Sequence, residues 1–240
     1  MRNCAYCSLL RRYFVGVVLM ILTGTTYAAI ERLSLATQVW PPYQTVNEKT
    51  GEIGGVAVER VQCALRLMNQ PYEIVFMAWD RAQLMVQTGK MDGYFAGSKS
   101  TTRAAYAVPS AAVVTDDLSW FVLPNISFDI DDETQKYNLR YGAKFNTNKW
   151  LSLKQEGYNV IKKPRDADSL LQMLWQGEID VALEYRYIFE YSMEKAGMPL
   201  SNFKRVSRGT LDQVVHFSKD FIRENPTFLD SFNASLTSCR

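Results

Sequence analysis

Alternating and helical patterns of apolar residues divide the first half of the chain into short elements. Residues 33–39 alternate as in a strand, residues 56–68 carry an apolar stripe at helical spacing, and residues 72–77 form a second apolar run. A helix is predicted over residues 80–88 and a short strand over residues 93–97. The order strand, helix, strand, helix, strand predicts parallel strands connected by crossover helices.

The second half repeats this order after the apolar run LSWFVLP. The pattern predicts strands and helices in turn: NLRYG (138–142), a helix over 150–156, NVI (159–161), a helix over 168–176, IDVALE (179–184) and a helix over 185–196. LSWFVLP (118–124) and DQVVHFS (212–218) are apolar enough to be strands that cross between two lobes. The last segment, NPTFLDSFNASL, predicts a helix with Pro226 near its first turn that returns to the first lobe.

One short phrase occurs in both halves. QTGKMDG (87–93) and WQGEIDV (175–181) each end a helix in Gly and place an Asp before the next apolar run. Gly takes the left-handed conformation at a helix end at low cost, and the Asp can accept bonds from backbone amides near the next strand. We therefore interpret Asp92 and Asp180 as turn formers rather than as a pair of catalytic carboxylates. The repeat indicates two similar α/β lobes.

Residues 1–28 have the pattern of a secretory signal peptide. Arg2, Arg11 and Arg12 form a basic start, residues 13–22 are apolar, and small residues lead to Ala28. The apolar run is shorter than the roughly 20 residues that a spanning helix needs. We expect cleavage after Ala28 and export to the periplasm; the alternative is a short membrane anchor that stays attached.

Composition and charge exclude some classes of function. Of the 240 residues, 47% are hydrophobic and 22% are charged, which is the ordinary composition of a globular protein. Without the leader, Lys and Arg fall from 27 to 24 against 25 acidic residues, so the formal charge changes from +2 to −1. A nucleic-acid binder would need a basic face, so none is expected as a partner. With no pattern that indicates an oligomer, a monomer is the default expectation.

Two cysteines, Cys63 and Cys239, follow the leader. An oxidising compartment allows an even pair to form a disulfide. The helix over residues 56–68 is apolar on two sides, which predicts one cover by a sheet and another by the C-terminal segment that carries Cys239. A Cys63–Cys239 disulfide and two buried thiols both remain open.

The order and spacing of several motifs resemble those of periplasmic solute-binding proteins of the amino-acid type, which serve ABC importers. The motifs are WPPY (40–43), TGEIGGVAVERV (50–61), AWDRAQLMVQTGKMDGYFAG (78–97) with SKSTTR (98–103), RYGAKFNTN (140–148) and QMLWQGEIDVALE (172–184). The resemblance implies an α/β, two-lobed fold of type II, with each lobe a mostly parallel sheet flanked by helices. Two crossing strands would join lobe 1, residues 29–123 plus 211–240, to lobe 2, residues 124–210.

The resemblance also implies ligand-binding residues in the first lobe. Trp40 and Trp79 match rings that face the ligand, and Tyr43 lies in the same turn as Trp40. Arg103 matches the arginine that binds a ligand carboxylate, for which a guanidinium fork is well suited, and Ser98 could add a hydroxyl. The alternatives are core packing for the rings and a solvated surface charge for Arg103.

In the second lobe, the resemblance assigns Thr147 and Asn148 to a loop that binds the same carboxylate. The family usually places an Asp after the strand IDVALE to bind the ligand's ammonium group. This chain has Tyr185 at that position and Glu184 just before it. Either Glu184 substitutes for the Asp, or the ligand has no α-ammonium group.

The function expected from these features is hinge closure around a small polar solute, an amino acid or related carboxylate, for uptake through an inner-membrane ABC permease. Two alternatives use the same cleft: a sensory module, and a dehydratase-like periplasmic enzyme with Glu184 or Asp80 as acid or base. The only histidine, His216, is interpreted as structural. The sequence shows no phosphate loop, no Ser-His-Asp arrangement and no metal-ligand spacing, so neither cofactor nor metal is expected.

Overall fold

The computed structural model describes residues Arg32–Cys239. The signal peptide predicted for residues 1–28 lies outside this range. Within it, no helix combines the length and apolarity that crossing a bilayer requires.

A mixed sheet of seven strands forms the centre of the fold, in the order β4-β1-β5-β9-β6-β8-β7, beside a two-stranded hairpin of β2 and β3. The strands in the described range are β1 Leu33–Thr37, β2 Thr45–Val46, β3 Ile53–Gly54, β4 Tyr72–Phe76, β5 Gly93–Ser98, β6 Ala107–Val122, β7 Tyr141–Gly142, β8 Val181–Tyr185 and β9 Lys204–Ser218. Strands β4, β1 and β5 pair in parallel at one end, and β7 and β8 at the other. The long antiparallel strands β6 and β9 connect the two ends.

Helices flank the sheet, and those over residues 56–67, 79–87, 148–155, 167–175, 186–195 and 228–238 match the helices that the sequence predicts. Their bounds are α1 Val56–Leu67, α2 Trp79–Gln87, α3 Thr101–Ala104, α4 Gln135–Asn138, α5 Asn148–Gln155, α6 Ala167–Trp175, α7 Arg186–Lys195, α8 Lys219–Glu224 and α9 Phe228–Ser238. The mixed sheet and its helices confirm the predicted two-lobed α/β fold. The boundaries of the lobes along the chain remain a prediction.

The repeated phrase forms the same turn twice. Gly89 and Gly177 both have φ of 68°, in the left-handed region that glycine adopts easily. Asp92 accepts a hydrogen bond from the backbone N–H of Ser34 in β1, at 2.8 Å, and Asp180 accepts one from Arg140 next to β7, also at 2.8 Å. Each Asp therefore joins the start of its own strand to the neighbouring parallel strand.

Three short segments differ from the structure predicted for them. NLRYG is not one strand, because α4 extends to Asn138 and only Tyr141–Gly142 pair as β7. NVI forms only an isolated bridge between Tyr141 and Val160. The polar loop SKSTTR contains the short helix α3, whose first turn is capped by the Ser100 hydroxyl accepting from Arg103 N. Such short elements form through tertiary contacts that local patterns do not contain.

A disulfide joins Cys63 in α1 to Cys239 after α9. Helix α1 packs against both α9 and β6. Its two apolar sides are therefore buried by the C-terminal helix and by the sheet, as the sequence predicts. Phe228, Phe232 and Leu236 of α9 are buried. The C-terminal helix is thus part of the core of the first half of the fold.

Candidate functional site

A small cavity of about 30 Å³ lies where the ends of several strands and helices meet. Gln38 and Trp40 follow β1, Ser98 ends β5 and Tyr185 ends β8, so the carboxyl ends of parallel strands line it, as is usual for ligand sites in open α/β sheets. Its lining residues are Gln38, Trp40, Trp79, Ala96, Gly97, Ser98, Arg103, Lys144, Thr147, Asn148, Lys149, Tyr185 and Gln213.

Trp40 reaches the cavity from the turn WPPY, in which the Pro41–Pro42 peptide bond is cis. Its ring packs edge-on against Tyr43, at 5.4 Å between centroids, and against Tyr185 at 5.6 Å. Tyr43 is buried, and its hydroxyl group donates a hydrogen bond to the Asp116 carboxylate of β6. Burial raises the pKa of both Tyr43 and Asp116. Tyr43 therefore supports the Trp40 ring and does not line the cavity.

Gly97 allows Trp79 and Arg103 to approach the end of β5. A Cβ at this position would lie 3.0 Å from the Trp79 ring and 3.2 Å from Arg103 Nη1, closer than side chains normally pack. The strand has an irregular register here, and Ala96 has φ of 48°. Trp79 begins α2 and packs edge-on against Tyr94. The local backbone thus gives the tryptophan and the guanidinium access to one side of the cavity.

Arg103 is buried, with 4% of its surface exposed. Its Nη1 donates to the Ser98 carbonyl at 2.5 Å and its Nε donates to Gln83 Oε1 at 3.2 Å. The guanidinium carbon lies 5.2 Å from the centroid of the Trp79 ring. Among the residues described, Arg103 has no carboxylate partner. Its charge is held in place by neutral groups.

Thr147 and Asn148 form the opposite side, at the start of α5. Thr147 caps the helix by accepting from Trp150 N, and it donates to the Lys144 carbonyl at 2.7 Å. Asn148 donates to the Ser98 hydroxyl at 3.0 Å. This bond connects the second half of the sequence to the end of β5, directly across the cavity.

Lys149 and Glu184 form a buried ion pair beside the cavity. Glu184 is fully buried, Lys149 is 5% exposed, and the same carboxylate oxygen accepts from Tyr185 N at 2.8 Å. The Lys149 ammonium lies 5.1 Å from the Trp40 ring centroid and 4.6 Å from that of Tyr185. Burial lowers the Lys149 pKa, and the Glu184 carboxylate opposes that change. Lys149 lines the cavity and Glu184 does not.

Lys144 supplies a third cationic group. Its ammonium donates to the Gln38 side-chain oxygen, which connects the segment after β7 to the segment after β1. Burial, with a smaller contribution from the Lys149 charge, lowers the Lys144 pKa to about 8. Lys144 is therefore mostly protonated at neutral pH.

The structure brings six of the eight predicted ligand-binding residues to one cavity: Trp40, Trp79, Ser98, Arg103, Thr147 and Asn148. Tyr43 and Glu184 lie behind it. Sequence reasoning missed the side chains of Gln38, Lys144, Lys149 and Gln213. Both lysines lie in or directly after RYGAKFNTN, the segment that also contains Thr147, but lysines in a loop or a first helical turn are usually solvated.

None of the candidate acids and bases Asp80, Glu184 and His216 lines the cavity. Asp80 is exposed, and Glu184 is paired with Lys149. His216 is buried and stacked on Tyr94 with its Nε2 3.3 Å from the carbonyls of Gly97 and Ser98. Burial, and next the Arg103 charge, lower the His216 pKa to about 4. Within residues 32–239, no group of three His, Cys, Asp or Glu side chains could hold a metal ion.

Solved structures share this fold. A histidine kinase sensor domain with similarity to periplasmic binding proteins is 17% identical with a TM-score of 0.72, over 87% of this chain and 90% of its own. An arginine-bound, truncated ArgBP from T. maritima is 15% identical with a TM-score of 0.69, over 86% and 95% of the two chains. A histidine-bound substrate-binding protein of an ABC uptake transporter from Streptococcus pneumoniae is 14% identical with a TM-score of 0.71, over 86% of each chain. No protein-family model and no curated protein matches the chain.

Proposed function

We propose that this chain binds a small carboxylate-bearing solute in the periplasm and presents it to an ABC-type importer in the inner membrane. The observation that carries the proposal is Arg103, a buried guanidinium at the cavity that has only neutral partners among the described residues. A buried charge without a counterion is costly unless a ligand supplies one. A guanidinium fork fits a carboxylate, and the rings of Trp40 and Trp79 can pack on the rest of a small molecule.

The contacts across the cavity support a closing motion. Asn148 binds Ser98 and Lys144 binds Gln38, and about 30 Å³ of free space remains between them. This space holds only about one or two water molecules, so a larger solute fits only if the two sides separate. We propose that residues 29–123 with 211–240 form one lobe, that residues 124–210 form the other, and that the lobes move about β6 and β9, as hinge-closing binding proteins do.

Thermal unfolding in the presence of candidate solutes tests the proposal. Two of the structurally similar proteins are described as binding arginine and histidine, so the panel includes amino acids, small carboxylates without an ammonium group, and polyamines. A ligand at 100 times its dissociation constant stabilises the protein by about 2.7 kcal/mol. For a domain of this size, the midpoint of unfolding rises by roughly 5–10 °C. If no carboxylate raises it, the proposal is wrong.

Replacing Arg103 by alanine should weaken carboxylate binding by roughly 10- to 150-fold, because a hydrogen bond to a charged group contributes about 1.5–3 kcal/mol. Titration calorimetry with the best ligand of the panel measures this change. Arg66→Ala, at an exposed arginine of α1, is the matched control and should bind as the parent protein does. Equal affinities for Arg103→Ala and the control would exclude Arg103 as the carboxylate-binding residue.

The same binding step would serve a sensor, and one of the structurally similar proteins is a sensor domain. Uptake of labelled ligand by cells with and without the gene distinguishes transport from sensing. Recovery of the ligand distinguishes binding from catalysis: a binding protein returns the solute unchanged, whereas a dehydratase-like enzyme would convert it to product and water.

A further inference from the structure

The cavity presents positive charge and no negative charge. Three of its lining residues are cationic, Arg103, Lys144 and Lys149, and none of its lining residues in the described range is Asp or Glu. Arg103 and Lys144 have no ionic partner among these residues, since their contacts are to carbonyl and amide oxygens. Glu184, the buried carboxylate next to Tyr185 in the chain, is neutralised by Lys149. The site therefore carries about two uncompensated positive charges.

Lys149 occupies the place in which a ligand ammonium group would be stabilised. A carboxylate with aromatic rings beside it is a favourable environment for an ammonium ion. Here Glu184, Trp40 and Tyr185 provide that environment, and the Lys149 ammonium already fills it, within 5.1 Å of both ring centroids. An incoming ammonium group would meet Lys149 instead of Glu184.

An uncharged group of the site points to the same kind of ligand. The indole N–H of Trp40, which lines the cavity, is buried and has no hydrogen-bond partner among the described residues. Buried donors are nearly always paired, so an acceptor atom of the ligand would satisfy it. An oxygen of an anion can be that acceptor.

We propose that the ligand is a small organic dianion with two carboxylate groups and no ammonium group. The proposal rests on the carboxylate-binding function above and specifies which carboxylates bind. One carboxylate would bind Arg103 near Ser98, and the other would bind the Lys144 and Lys149 ammonium groups. The small cavity and the rings of Trp40 and Trp79 favour a short carbon chain between the two groups.

Calorimetric titration with four related acids tests the proposal. Succinate and malate are dianions without an ammonium group, aspartate has the malate skeleton with an ammonium group in place of the hydroxyl, and butyrate lacks the second carboxylate. We expect succinate and malate to bind at least about 10-fold more tightly than aspartate or butyrate, since like charges in contact and a missing charge partner are both costly.

The outcomes separate this proposal from the one on which it rests. If aspartate binds as tightly as malate or more so, the dianion proposal is overturned and carboxylate binding stands. If butyrate matches succinate, the second carboxylate has no role and the dianion proposal is again overturned. If none of the four acids and none of the amino acids in the thermal panel binds, both proposals fail.

Two variants test the role of Lys149 itself. Lys149→Met removes the ammonium group that neutralises the buried Glu184 carboxylate, so the Glu184 charge should attract the ammonium group of aspartate and the preference for malate over aspartate should fall. Lys149→Met combined with Glu184→Gln removes both charges and keeps an oxygen to accept from Tyr185 N, so the preference should shrink towards equal affinity. The double variant leaves no unpaired carboxylate, so it can be tested even if the single variant folds poorly. If it prefers malate over aspartate as strongly as the parent protein does, the proposed role of Lys149 is contradicted.

Discussion

Replacing Lys149 by methionine is expected to lower the free energy of unfolding by about 3–5 kcal/mol, because it leaves the Glu184 carboxylate buried without its counterion. Glu184 is fully buried and its Oε1 accepts from both Lys149 and Tyr185 N. Methionine preserves most of the side-chain volume and packs well beside the rings of Trp40 and Tyr185. The loss of stability should therefore come from the unpaired Glu184 charge rather than from poorer packing. Urea unfolding without ligand measures it.

The double variant Lys149→Met with Glu184→Gln is the control for this loss. Replacing both members of a buried ion pair by groups of similar volume is often neutral or stabilising. The glutamine oxygen can still accept from Tyr185 N. We expect the double variant to unfold within about 1–2 kcal/mol of the parent protein. A double variant as unstable as the single one would show that packing of the lysine chain, rather than its charge, stabilises this region.

Replacing both Cys63 and Cys239 by serine is expected to lower the free energy of unfolding by about 3–5 kcal/mol. The disulfide joins residues 176 positions apart, so without it the unfolded chain gains much conformational freedom. It also fixes α9, which contributes Phe228, Phe232 and Leu236 to the core, against α1. The midpoint of thermal unfolding should fall by roughly 6–20 °C.

The parent protein in reducing buffer is the matched control for this variant. Reduction breaks the same bond without changing any residue, so the reduced protein and the double-serine variant should unfold at similar urea concentrations. The oxidised parent should unfold at a clearly higher concentration. If reduction leaves the midpoint of the parent unchanged, the disulfide does not stabilise the folded chain.

Regular local signals account for the part of the fold that could be predicted. The helix end at Gly89 and the turn to Asp92 recur at Gly177 and Asp180, and each pair has the geometry that its residue types favour. The helices before these turns and the apolar strands after them could be located for the same reason. In contrast, β6 extends over Ala107–Val122, well beyond the predicted LSWFVLP, because its first part is fixed by pairing with β9.

The candidate site was predictable only where a residue type has one common role at its position. Arg103 after a buried strand and Trp40 before two prolines both line the cavity. Lys149 could not be identified in this way, because its role depends on Glu184, 35 positions later in the chain. A lysine in the first turn of a helix is normally solvated, and only the tertiary structure shows that this one is buried beside two rings.

Small-angle X-ray scattering of the purified protein, with and without ligand, tests most directly whether two lobes close around a solute. Without ligand, we expect a radius of gyration larger than that calculated from the described structure, because the contacts of Asn148 with Ser98 and of Lys144 with Gln38 would be open. At a succinate concentration that saturates the calorimetric titration, the radius should contract towards the calculated value. A radius that stays unchanged while succinate binds would contradict hinge closure.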